Sequence, residues 1–188
     1  MLFYGDFRAW ITIGDDETPA VEYGVTENQS ENTMIAYIAS EEGQRFQVGW
    51  CDNRFTSPTR GRVSIDGRGM GGKIISESTY NKSVVKKGFR TNKDERRPFV
   101  FSKLQVTDEE VAFSSSSKPG EIILVIIRVR MKGTTNYDRS HNPPPTRIFN
   151  EKDVKGLDAH STACFSILFL HRPMPHLFLQ VRRSYSSD

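Results

Sequence analysis

The segment Gly67-Arg68-Gly69-Met70-Gly71-Gly72-Lys73-Ile74 is the part of the chain closest to phosphate chemistry. It satisfies G-x-G-x-x-G and also G-x-x-x-x-G-K, patterns in which glycine backbone N–H groups cradle phosphates. Ile74 stands where a magnesium-dependent phosphate loop needs Ser or Thr. That chemistry also needs a helix directly after the loop, because the N–H groups of its first turn hold the anion. KIISEST is short and β-branched, and residues 76–81 are polar, so no helix is offered. A kinase-type glycine loop would require H-R-D and D-F-G elements, and the chain has neither. The segment is expected to be a glycine-rich hairpin or bulge that binds no nucleotide.

A second cluster is electrostatic. Lys82, Lys86, Lys87, Arg90, Lys93, Arg96 and Arg97 set seven positive charges against Asp94 and Glu95. Such a loop could contact nucleic-acid phosphates or another acidic partner, with Tyr80 and Phe89 available to stack. The bland alternative is a solvated loop that shields a sheet edge. His141, His160, His171 and His176 lack the spacing of a zinc site, and Cys51 and Cys164 are far apart in sequence. There is no G-x-S-x-G elbow, and nothing singles out a pair among carboxylates such as Asp6, Asp66 and Glu121. No catalytic, cofactor-binding or metal-ligating residue is therefore nominated, and no cofactor is expected. The basic loop over 82–97 is the one candidate site.

The elements that would position these residues read as strands. FRAWITI alternates Phe7, Ala9, Ile11 and Ile13 against Arg8, Trp10 and Thr12, a period of two. VEYGVTE follows, then MIAYIAS with Met34, Ala36 and Ile38 on one side, and a turn at Glu42-Gly43. RFQVGWC puts Phe46, Val48 and Trp50 on one face. RVSID, KIISE and PFVFSKLQV continue the series, while residues 76–97 show no clear period. GEIILVIIRVRMK is the strongest strand and is apolar on both faces from Ile122 to Ile127, which predicts a central position. No amphipathic helical window interrupts these runs. The pattern predicts an antiparallel β-sandwich or jelly roll of about eight or nine strands over residues 1–132. Its expected core is Phe7, Ile11, Ile38, Phe46, Val48, Trp50, Ile65, Phe101, Leu124 and Ile126.

Composition narrows the class. The chain has 188 residues, 26% charged and 11% aromatic, which excludes a disordered chain and a membrane bundle. Two cysteines exclude a disulfide-dense scaffold and make a reducing, intracellular setting the expectation. MLFYGDFRAW does not read as a secretory signal. The net charge of +3 hides an asymmetry. Residues 1–60 hold four basic and ten acidic residues, so the excess of cations lies in the remainder.

The order GDFRAWI, IASEEGQRFQVGW, GRVSIDG, GGKII, RPFVFSKLQVTD and GEIILVIIRVR resembles a family of uncharacterised fungal proteins that share one domain of unknown function. The resemblance covers about residues 3–160. It rests most on Ser40 to Val48, Ile65 to Lys73, Arg97 to Ser102 and Gly120 to Val129. It implies a mostly-β intracellular module with no established activity, and it carries over no catalytic residue. Residues 133–160 form a Pro/Gly/polar extension. From Ser161 onward the composition changes again, with dense His and Pro between short apolar runs. That tail reads either as a last strand, ILFL or HLFLQV, or as sequence foreign to the domain. The expectation is an irregular tail, residues 161–188, that is not integral to the sandwich.

Function follows as an expectation. The leading reading is a non-enzymatic interaction module with an unknown protein partner and no membrane association. The alternative is nucleic-acid or chromatin association through the 82–97 loop. A carbohydrate-processing or other enzyme ranks last, because it rests on fold analogy alone.

Overall fold

A computed structural model describes residues 1–92, 95–102, 105–107, 120–136, 148–150, 162–170 and 178–183. For 105–107, 132–136, 148–150, 162–170 and 178–183 it describes the backbone. The chain is all-β. Its strands are β1 (Leu2–Tyr4), β2 (Phe7–Ile13), β3 (Thr18–Pro19), β4 (Glu22–Asn28), β5 (Thr33–Ala39), β6 (Arg45–Asp52), β7 (Thr59–Ile65), β8 (Arg68–Ile75) and β9 (Ser83–Lys86). They continue as β10 (Gly88–Arg90), β11 (Arg96–Val100), β12 (Gln105–Thr107), β13 (Glu121–Arg128), β14 (Arg130–Asn136), β15 (Ile148–Asn150), β16 (Thr162–Leu170) and β17 (Phe178–Arg183). The count exceeds the eight or nine expected because short strands flank long ones and share their edges. β6, for example, pairs β2 along one edge and splits the other between β9 and β11.

Two sheets carry most of these strands. One is seven-stranded, with the path β1-β2-β6-β11-β10, β3 beside β2 and β9 beside β6. The other is six-stranded, in the order β4-β5-β16-β13-β7-β8. β12 pairs β15, and β14 pairs β17, as two small parallel ribbons.

The alternation read from the sequence sets the faces. Ala9 and Ile11 of β2, Phe46, Val48 and Trp50 of β6, and Phe99 of β11 are buried in the first sheet. Met34, Ala36 and Ile38 of β5, Val63 of β7, Ile75 of β8, and Ile122, Leu124 and Ile126 of β13 are buried in the second. All join one hydrophobic cluster, so the two sheets enclose a common core. Phe7, Ile65 and Phe101 pack against it while partly exposed. Phe101 stacks on Phe46 with ring centroids 4.3 Å apart. Trp50 is fully buried, and its indole lies on Gly61 of the opposite sheet, where a Cβ would overlap the ring. Trp10 covers Gly49 in the same manner on the adjacent strand.

β13 lies between β7 and β16, which is the central place its two apolar faces predict. The tail differs from expectation. Thr162–Leu170 does not stand apart; it pairs antiparallel with β5 from Ala39 to Thr33 and parallel with β13 from Glu121 to Ile127. The run TACFSILFL has no Pro, Gly or charge, so every residue can join the ladders on both edges.

Candidate functional site

The glycine segment is a hairpin with a bulge, as its missing helix predicts. Asp66 and Gly67, with φ of 50° and 73°, form the two-residue turn between β7 and β8. Two positive φ values in an Asp-Gly pair are the signature of a type I′ hairpin turn. Beyond it Arg62 faces Gly72 and Ser64 faces Gly69, so Met70 and Gly71 together oppose Val63. Gly71 absorbs this bulge at φ 80°. β8 then runs on as strand to Ile75. The effect of the segment is to place Lys73 directly opposite Gly61.

That register sends a lysine inward. Gly61 sits on the core face, against Trp50, and a residue paired with it shares its face. Lys86 is inward on the other sheet for the same reason, since its partner across the strands is the fully buried Val48. Two lysines, one from each sheet, thus occupy positions where an apolar side chain would continue the core. β8 is the edge of its sheet, and it passes beside β9 and β10 of the other. The lysines meet at this seam.

Lys86 is only 9% exposed. A Cβ on Gly71 would lie 3.7 Å from its Nζ, so the ammonium rests against the β8 bulge. On its other side the Phe99 ring centroid is 5.9 Å away. Among the described residues, no carboxylate or other hydrogen-bond acceptor reaches the Lys86 or Lys73 ammonium. Arg90 and Arg96 stand opposite one another across β10 and β11 and add their charge to the seam. Burial, then Arg96, Lys73 and Arg90 in that order, push the Lys86 ammonium down to about 8. Lys73 is lowered by burial first, then by Arg96, Lys87 and Arg90.

The structure sorts the seven cations nominated from sequence. Lys86 lies in the seam, while Arg96 is exposed and, with Arg90, adds charge from its rim. Lys87 faces it but forms an ion pair with Glu17 at 2.5 Å. Lys82 is turned away. Its Nζ donates to the carbonyls of Ser76, Glu77 and Thr79 and lies 4.6 Å from the Phe55 ring centroid. Arg97 is exposed, and Lys93 lies outside the described residues. Of the two aromatics offered for stacking, Phe89 packs against the core, whereas Tyr80 is exposed. Lys73 was not nominated. Its signal in the sequence is its place two residues before Ile75, on the buried side of the strand.

Of the carboxylates, Asp66 and Glu121 are neighbours, the Asp66 N–H donating to the Glu121 carbonyl at 2.8 Å and the Asp66 Oδ1 accepting from the Gly120 N–H. Cys51 is a buried free thiol whose sulfur accepts the Arg8 Nε–H at 3.2 Å. Among the described residues, no three His, Cys, Asp or Glu side chains are grouped to hold a metal ion. The four histidines lie outside those residues. Among the described residues, no helix is long and apolar enough to cross a membrane.

A stability test follows from Lys86. A base lowered in the folded state binds fewer protons there than in the unfolded chain, so stability rises with pH between about 8 and the ordinary lysine value of 10.5. Below about 8 the full penalty of the buried charge is present. Lys86→Met keeps the apolar stem and removes the charge. In phosphate-free buffer at pH 7 it is expected to melt higher than the parent, and its melting temperature should lose the rise above pH 8. Thermal melts from pH 7 to 10 check this; a lower melting point for the variant at pH 7 would contradict it.

An all-β protein of two main sheets with a cationic seam along one edge is the class this fold defines. Residues 10–167 match the family model described as a domain of unknown function, DUF7918. The chain belongs to this family, as the resemblance in the sequence leads one to expect, and the match extends into β16. No curated protein and no solved structure matches the chain.

Proposed function

We propose that this protein is an intracellular, non-enzymatic interaction module that takes an acidic group of a protein partner into the seam between β8 and β9. One observation carries the reading. Lys86 is a residue only 9% exposed, with cationic neighbours and no anionic partner among the described residues. An isolated buried charge is costly, and a bound anion would offset that cost. The sparse cysteines support the intracellular setting.

Nucleic-acid binding through 82–97 is the second reading, favoured by the exposed Tyr80 beside the basic residues. A backbone-tracking groove needs a continuous row of available cations. Here Lys82 is engaged by carbonyls and Lys87 by Glu17, which leaves a focus rather than a row. Retention of the full chain on immobilised polyglutamate and on duplex DNA at rising salt separates the two. The module reading expects retention on polyglutamate that falls in Lys86→Met and Arg96→Gln, and a DNA salt slope of roughly three or less. A slope of about six or more would favour nucleic acid, and no retention on either support would defeat both.

A further inference from the structure

We propose that Lys86 and Lys73, with the exposed Arg96 at the rim, form a site for a single phosphate-monoester dianion at the seam. The inference rests on the reading above and narrows the acidic group to one chemical kind.

The geometry supports a compact, doubly charged anion. The two lysines approach from opposite sheets at inward positions, fixed by the pairs Gly61–Lys73 and Val48–Lys86. The exposed Arg96 adds a further cation at the rim, close enough for its charge to act on both lysines. Converging donors suit a tetrahedral group with several acceptor oxygens better than a planar carboxylate, which presents two. Lysine ammoniums act as point charges towards phosphate, and an arginine adds a forked pair of donors. A monoanion would leave most of the mutual repulsion among these cations in place, whereas a dianion offsets more of it. The bulge at Gly71 contributes room, because no side chain there covers the Lys86 ammonium.

Binding of a dianion restores the full charge of Lys86. With the ammonium near 8 in the empty site, about half is unprotonated at pH 8, so binding should take up about half a proton per chain.

The probes are inorganic phosphate, a phosphoserine peptide and a short oligodeoxynucleotide, each titrated calorimetrically into the full chain at pH 8. Two buffers of different ionisation enthalpy report the proton. Expected is saturable phosphate binding with uptake of about half a proton. Lys86→Met should bind at least tenfold more weakly with no uptake. Phosphate bound as tightly as the peptide marks the free anion as occupant. A tighter peptide marks a modified partner side chain. The oligonucleotide, whose phosphodiesters are monoanions, should bind weakest. Equal affinity in parent and Lys86→Met, or strongest binding of the oligonucleotide, would overturn the site. If polyglutamate retention persists while phosphate shows no saturable binding, the phosphate site fails and the wider module reading stands.

Discussion

Deletion of residues 162–188 is expected to unfold the protein or to lower its melting temperature by roughly 10 °C or more. β16 has a neighbour on each side, seven residues in register with β5 and seven with β13. Its removal strips ladder hydrogen bonds from both and opens two edges in the middle of a six-stranded sheet. It also uncovers the strand with the most continuous apolar run, Ile122 to Ile127. A chain ending at residue 170 keeps β16 and should lose much less. Thermal melts of the two truncations decide the point. Equal melting temperatures for the parent and the 1–161 chain would show that the sheet stands without its third strand from the β4 edge.

Trp50→Ala is expected to cost about 3–5 kcal/mol, the range for removing a large aromatic from a packed core. At about 2–4 °C per kcal/mol for a chain of this size, that is roughly 6–20 °C in melting temperature. The indole is fully buried between the sheets, and its only allowance on the far side is the missing side chain of Gly61. Gly61→Ala should therefore be harmful by a different route, since its Cβ overlaps the ring. Among the described residues the indole N–H has no acceptor, so Trp50→Phe should cost clearly less than Trp50→Ala. Denaturant unfolding of the three variants gives the order, and a Trp50→Ala cost below about 1 kcal/mol would contradict the packing.

The sequence reading succeeded where one face is wet. β2, β5 and β6 alternate cleanly, and each buried residue named from them lies in the core or against it. It also placed β13 centrally, because six apolar residues in a row need cover on both sides. TACFSILFL carries a weaker form of the same signal, set among His and Pro residues. Periodicity cannot separate a doubly covered strand from unrelated apolar sequence. β9 was invisible for the opposite reason. Its inward positions hold Val84 and Lys86, so a charge stands where the pattern demands an apolar residue. The candidate site shares that blind spot. Lys73 and Lys86 are remote in sequence, and it is the register of two hairpins in different sheets that brings them to one seam.

The pairing of Ala39 with Thr162 has a consequence for how the molecule comes into being. At the usual pace of translation, about 5–20 residues per second, β5 leaves the ribosome roughly 6–25 s before its neighbour exists. Throughout that interval the nascent chain presents an unfinished edge beside Met34, Ala36 and Ile38. Loop closure over so long a stretch is also slow once the chain is complete. Completion of this sheet is thereby deferred until β16 has been made, and the period of greatest exposure to self-association and to chaperones is built into the order of the strands.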